Sequence, residues 1–300
     1  MKRILQYTIT SKEAGITIRD FLKLQGYSAQ CLIALKKIRN GILLNGKWEY
    51  VNTCLCEEDR LVIRIEEETQ ESPAITPVCL PFPVVYEDED MIIVNKPAGM
   101  AVHPSMNHYE DTLANAAAYY FGEKGESFTY RCINRLDRDT SGLVILAKHI
   151  VSSSILYKQM TERSICREYL AIVQGDDISG EGTVDLPIGR KEGSVIERRI
   201  DRVHGECAVT HYKVLEKKEG MSLLALHLDT GRTHQIRVHM KEIGHPLIGD
   251  FLYNSEDNRM SRQALHSYRL SFRHPITGDK MEFTAPLPED MRMFFDGNYE

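Results

Sequence analysis

The densest run of groups able to do acid, base or anion chemistry is Asn134-Arg-Leu-Asp-Arg-Asp-Thr-Ser-Gly142. Asp137 and Asp139 are candidate carboxylates. Arg135 and Arg138 are candidate partners for a phosphate or a carboxylate. The run ends where the apolar stretch 143–146 begins, so it belongs on a loop or turn at a strand end, where scaffolds present reactive groups. The same composition fits a charged surface turn in which Asp139, Thr140 and Ser141 bond their own backbone. That reading is favoured for Asp139, because Asp-Thr-Ser-Gly has strong turn chemistry. For Asp137, composition leaves both readings open.

A second run, Asp229-Thr-Gly-Arg-Thr-His-Gln-Ile-Arg-Val-His239, contributes Arg237 and two histidines. Five histidines between 211 and 245 invite a metal reading. His234 and His239 are five apart, however, off a shared helix face, and no His-Glu-x-x-His is present. Cys54-x-Cys56 has no matching second pair, so no metal is expected. The seven cysteines are scattered and lack a C-x-x-C, which fits free thiols in a reducing compartment rather than a disulfide framework. No Gly-x-Gly-x-x-Gly, Walker loop or Gly-x-Ser-x-Gly occurs, leaving nucleotide cofactors and serine hydrolase chemistry unsupported.

Periodicity indicates what must position these groups. Thr17 can cap a short helix with Ile18, Phe21 and Leu22 on one face, ending at Gly26. Ser28 can cap a second, with Leu32, Leu35 and Ile38 on its apolar side. Lys36, Lys37 and Arg39 crowd that helix's end, where the dipole favours cations. Asn45-Gly46 predicts a type I′ hairpin turn, and 61–65 a closing strand. Residues 66–83, with their glutamates and four prolines, read as a linker. The expected organisation is therefore a small unit over 1–65, the linker, and a larger domain over 84–300. In the larger domain, 91–95, 142–146, 167–173, 208–215 and 223–228 read as strands. Helices are expected from Asp111 or Thr112 through Phe121, near 152–162, and after a cap at Thr233 with Gly244 just past the end. Many strands with few βαβ units predict an α+β fold with a mixed, largely antiparallel sheet.

Apolar residues make up 42% and charged residues 27% of the 300, which excludes collagen-like, coiled-coil and wholly disordered chains. The apolar runs fall far short of the ~20 residues a membrane span needs, and no signal-peptide stretch opens the chain. A cytoplasmic protein without membrane attachment is expected, with a monomer as the default. The net charge of −6 argues against nucleic acid on its face. The average hides a segregation: residues 1–56 carry +6 and residues 57–90 carry −9. A basic module beside an acidic body hints at a binding unit, with a solvated basic face as the alternative.

The run Arg135-Leu-Asp-Arg-Asp-Thr-Ser-Gly-Leu-Val-Ile-Leu-Ala-Lys148 resembles the signature of RluA/RluD-type RNA pseudouridine synthases. Further segments agree in order and spacing: Asn95–Pro104, Arg167–Val173, Gly231–His239, His245–Asp250 and Leu265–Pro275. Residues 14–65 separately resemble the S4-type RNA-binding domain, on Arg19, Leu22, Gly41 and Asn45-Gly46. The resemblance implies conversion of uridine within ribosomal or transfer RNA to pseudouridine, without cofactor, metal or energy source. The N-glycosidic bond breaks, the base turns, and it rejoins through carbon 5. On this reading Asp137 is the catalytic aspartate. Arg237 pairs with it and keeps it ionised in a dry pocket. Tyr169 stacks on the base and can take the carbon-5 proton, Ile236 covers the base's other face, and Arg135 fills the space vacated by the flipped nucleotide. Lys36, Lys37 and Arg39 would add phosphate contacts, which position RNA without reading sequence. One departure stands out: Asn134 occupies a position where the family usually has histidine, which puts RNA-site selection or flipping geometry in question. Two other readings predict different products. A non-catalytic RNA-binding protein would release nothing, and a glycosidic hydrolase using Asp137 and Asp139 would release free uracil.

Overall fold

The structure, a computed structural model, describes residues 2–67 and 75–295. The expected linker falls partly on 68–74, which lie outside the described residues.

The N-terminal elements are β1 (Lys2–Thr8), α1 (Ile18–Leu24), α2 (Ala29–Lys37), β2 (Ile42–Leu44), β3 (Lys47–Trp48) and β4 (Arg60–Glu66). The strands form one sheet in the order β1-β4-β2-β3. Thr17 and Ser28 cap the helices as expected, their hydroxyls accepting from the backbone N–H of Asp20 and Cys31. Asn45 and Gly46 both take positive φ, 51° and 80°, as a type I′ turn requires. β1 is absent from the expected elements, because a single buried side chain, Leu5, interrupts its exposed face. The pattern is too weak to announce a strand.

The larger body contains β5 (Val84–Glu87), β6 (Met91–Lys96), α3 (Leu113–Glu123), β7 (Ser141–Ala147), α4 (Ile150–Thr161), β8 (Cys166–Gln174), β9 (Glu181–Asp185), β10 (Ile188–Arg190), β11 (Arg198–Ile200), β12 (Val209–Lys218), β13 (Met221–Leu228), α5 (Gln235–Glu242), β14 (Leu265–Arg273), β15 (Lys280–Thr284) and α6 (Glu289–Arg292). Its main sheet has nine strands in the order β5-β6-β7-β14-β8-β13-β12-β9, with β15 pairing β14. Among its pairings only β7 with β14 is parallel. The expected mixed, largely antiparallel α+β fold is what forms. Every residue of β7 is buried, which explains why its sequence is continuously apolar rather than alternating. Gly142 at φ 114° lies where a Cβ would meet the Ser267 carbonyl at 2.3 Å, so glycine is what lets β14 approach β7.

The sheet has an apolar layer on each face. On one, Val144, Tyr169, Ala171 and Leu226 pack with Phe121 of α3 and with Ile236 and Met240 of α5. On the other, Met91, Ile93, Leu143 and Ile145 pack with Leu156 of α4. The N-terminal unit is seated against α4: Val151 is buried within that unit's core, and Ile150, Ile155 and Ile276 pack on it. Polar contacts reinforce the joint. Ser154 Oγ donates to the Gly26 carbonyl at 2.9 Å and accepts from the Ser28 N–H at 2.8 Å. Arg3 forks onto Asp90 at 2.9 and 3.1 Å.

Thr233 does not cap α5. The cap position falls one residue later on His234, which takes φ 58° and makes no side-chain cap bond. The fourfold clamp of Gln235 serves that end of the helix instead. Its Oε1 accepts from Thr230 Oγ1 and the Arg232 N–H, while its Nε2 donates to Thr210 Oγ1 and the Val209 carbonyl.

Candidate active site

The loop 134–140 leads into β7, α5 starts beside it, and β8 lies one strand beyond β14. Their ends meet in a cleft of about 370 Å³, open mouth included, lined by Arg135, Asp137, Tyr169, His234, Ile236 and Arg237. Five of these are the residues singled out from the sequence. The sixth, His234, lies in the matched segment Gly231–His239 but is given no role from the sequence beyond that of a discounted metal ligand.

Asp137 begins a turn in which the Thr140 N–H reaches its carbonyl at 3.1 Å. Two buried basic side chains hold that turn by its carbonyls. Lys96, wholly buried, donates to the carbonyls of Pro97, Met100 and Arg138 at 2.8, 2.8 and 3.0 Å. Burial pulls its pKa down to about 7 against the opposing charges of Asp139 and Asp137. Arg262 is forked onto Asp290 and donates to the carbonyls of Asp139 and Leu265.

Asn134 is buried behind the loop and does not line the cleft. Its Nδ2 donates to the Leu143 carbonyl at 3.0 Å and its Oδ1 accepts from the Ile145 N–H at 2.8 Å. The residue that departs from the family pattern thus pins the loop to β7. Asp139 pairs with Arg138, both nitrogen–oxygen distances being 3.0 Å. Thr140 and Ser141 do not bond their own backbone as expected. They meet Gln263 Nε2 and His266 Nδ1 on the approach to β14.

Arg237 is the hub. Its Nη1 donates to Asp137 Oδ2 at 3.1 Å, and its Nε and Nη2 grip Asp250 at 2.7 and 2.8 Å. The Arg237 side chain is 3% exposed and that of Asp250 0%, against 26% for Asp137. Burial would lower the guanidinium's pKa, but Asp250 and Asp137 outweigh it and raise it, so Arg237 is a permanent cation. Asp250 also accepts from the backbone N–H of Leu252 and Tyr253. The sequence reading assigns no role to Tyr253, nor to Asp250, although Asp250 closes the matched segment His245–Asp250. A signal is present in Gly249-Asp250, where φ 66° and contact with the Arg262 carbonyl require glycine. Tyr169 is 5% exposed, and burial, opposed by Arg167, raises its phenol pKa. The ring is neutral and well placed to stack.

The arrangement offers one partly exposed carboxylate held by a fixed cation, in a cleft that an aromatic ring and an aliphatic side chain also line. Such a pocket can act on a sugar carbon while sandwiching a flat base.

Lys36, Lys37 and Arg39 are exposed at the end of α2. His239 is a satisfied core histidine, bonded to Thr210 Oγ1 and the Leu186 carbonyl at 2.9 Å each. Asp88, Asp90 and His274 lie close enough to hold an ion. Their polar atoms already have partners inside the fold: Asp90 meets Arg3 and His149, and Asp88 meets His274 and Tyr86. This is an ion-pair network at the joint with the N-terminal unit. No helix among the described residues is long and apolar enough to cross a membrane.

A family model described as RNA pseudouridylate synthase matches residues 90–242. The chain is 40% identical over 282 residues to the Bacillus subtilis protein named uncharacterized RNA pseudouridine synthase YjbO, covering 94% of this chain and 99% of that one. It is 40% identical over 250 residues to ribosomal large subunit pseudouridine synthase D of Haemophilus influenzae, covering 78% and 75%. Among solved structures, human RNA pseudouridylate synthase domain containing 1 matches with a TM-score of 0.59 at 26% identity, over 70% of this chain and 84% of that one.

Proposed function

The chain belongs to the RNA pseudouridylate synthase family, and from that premise we propose that it isomerises uridines of ribosomal or transfer RNA by a cofactor-free reaction initiated by Asp137. It is an RNA pseudouridine synthase, an isomerase. Large-subunit ribosomal RNA is the substrate class favoured by the names of its relatives.

The observation that carries the reading is the Asp137–Arg237 pair inside a cleft shared with Tyr169 and Ile236. Asp137 meets the sugar of a flipped uridine, and the bond between C1′ and N1 breaks. Detached uracil turns between Tyr169 and Ile236, C1′ joins C5, the C5 proton leaves, and N1, freed of the sugar, takes up a proton. Arg135, exposed at the cleft's rim, fills the gap left in the RNA. Unstacking the target costs a few kcal/mol, offset by phosphate contacts from the N-terminal unit. We read that unit, residues 1–65, as an S4-type RNA-binding domain carrying Lys36, Lys37 and Arg39. The linker 66–83 joins it to a catalytic domain over 84–300. The protein acts as a cytoplasmic monomer.

The test is tritium release from RNA labelled at uridine C5, comparing ribosomal with transfer RNA. Release that requires Asp137 supports the reading and selects the substrate class. Binding without release from either class would favour a non-catalytic RNA-binding protein, and free uracil a hydrolase.

A further inference from the structure

His234 is placed at the cost of two local preferences. It sits in the left-handed region at φ 58°, which non-glycine residues seldom adopt and which tends to be retained at functional sites. It also occupies the N-cap of α5 without making a cap bond, although serine, threonine or aspartate there would satisfy a helix N–H. Its side chain instead lines the cleft, 9% exposed, with Nε2 at 3.8 Å from Asp137 Oδ2.

The far side of the ring determines which nitrogen carries the proton. Tyr253 Oη accepts from the Arg198 N–H at 2.8 Å and lies 2.9 Å from His234 Nδ1. If Nδ1 carried hydrogen, the phenol would accept twice, and its own buried hydrogen would face no acceptor among the described residues. The satisfied arrangement has Tyr253 donating to Nδ1. A neutral imidazole then bears its hydrogen on Nε2, the nitrogen turned towards Asp137. Arg237, Asp250 and Arg198 are the other charged groups acting on this ring.

His234 and Arg237 both approach the same oxygen, Oδ2. Oδ1 accepts no hydrogen bond from the described residues. A second donor closing on that oxygen would fix the carboxylate's rotation and leave the other oxygen for the sugar. We propose that His234 is a positioning residue, held by Tyr253 with its proton on Nε2, that donates to Asp137 Oδ2 when substrate fills the cleft and turns Oδ1 towards the ribose. The separation of 3.8 Å is one that a small closing movement converts into a hydrogen bond, as catalytic contacts commonly tighten in the complex. The inference rests on Asp137 being the initiating group.

The test is single-turnover release from C5-tritiated ribosomal transcript, with RNA affinity and thermal melting measured on the same proteins. His234→Asn is the informative variant, because asparagine tolerates the left-handed backbone but is too short to reach Asp137. It should melt no lower than the parent, bind RNA within twofold, and react at least tenfold more slowly. Tyr253→Phe keeps the ring beside Arg237 and removes the hydroxyl; it should slow the reaction several-fold. A His234→Asn rate within twofold of the parent overturns the proposal, and an unchanged Tyr253→Phe rate overturns the role of Tyr253. An Asp137→Asn control that still released tritium would overturn the underlying reading instead. An inactive Asp137→Asn beside a fully active His234→Asn would remove only His234.

Discussion

Arg237 and Asp250 form a two-pronged ion pair at 2.7 and 2.8 Å with both side chains all but removed from solvent. The pair is built for geometry. A lone buried carboxylate or guanidinium is costly, and removing one partner of such a pair typically costs about 3–5 kcal/mol. Asp250 fixes the Nε and Nη2 edge of the guanidinium, so that Nη1 is the nitrogen presented to Asp137.

Asp250→Asn should therefore damage more than stability. The neutral amide can accept only one of the two bonds, and Arg237 is then free to swing onto Asp137 and occupy the oxygen meant for substrate. Turnover should fall at least tenfold with RNA affinity unchanged, and the melting temperature should drop. Activity at the parent level well below the melting point would contradict this.

Arg237→Lys separates charge from shape. Lysine retains the cation but presents a compact ammonium instead of a planar fork, and cannot bridge both carboxylates as arginine does. Single-turnover rates should fall at least tenfold. Rescue to within a few-fold would mean that charge alone suffices.

Local signals carry the fold where patterns are strong. The caps at Thr17, Ser28 and Thr112, the Asn45-Gly46 turn and the apolar run of β7 all lie where propensity and tertiary packing agree. β10 and β11 are invisible in the sequence because three-residue strands are too short to show their period. The site divides along similar lines. Asp137, Tyr169, Arg237 and Ile236 emerge through motif resemblance, and one cleft brings them together. Composition alone leaves Asp137 undecided, since a charged turn and a catalytic loop use the same residues. Asp250 and Tyr253 escape because their importance is relational: they touch Arg237 and His234 across the fold. The Thr233 cap fails because a normal cap preference yields where the next side chain is needed in the cleft.

Glu87 should contribute to acid sensitivity, beside Asp88 and Asp90, whose carboxyls are also held below the usual range by their partners. Glu87 accepts from Lys148 and Lys124 at 2.8 Å and from Tyr120 at 2.6 Å. Burial alone would raise its pKa, but these partners pull it down to about 2, below the roughly 4.3 of an unfolded glutamate. The unfolded chain binds the proton first, so this contribution is intact above about pH 4.3 and is lost progressively as pH falls towards 2. Glu87→Gln should be less stable at pH 7 and should lose less further stability between pH 4 and pH 2. Chemical denaturation across that range measures it, and parallel curves for the two proteins would exclude Glu87 as a source.

Lys36, Lys37 and Arg39 provide a cleaner test of RNA binding than removing the N-terminal unit. Deletion of residues 1–67 would strip Asp90 of Arg3 and uncover Val151, which the unit's core buries completely. Weakened RNA binding would then be inseparable from a damaged catalytic body, and the truncated protein should melt lower than the full chain. The three cations are exposed at the end of α2, so changing them to alanine leaves the joint intact. Removing a cation that pairs with a phosphate should reduce the slope of log affinity against log salt by about 0.7–0.9. The triple variant should flatten that slope by up to about 2–3, while keeping the parent's melting temperature and its reaction rate at saturating RNA. An unchanged slope would place the RNA on another face of the unit and remove these three residues from the interface.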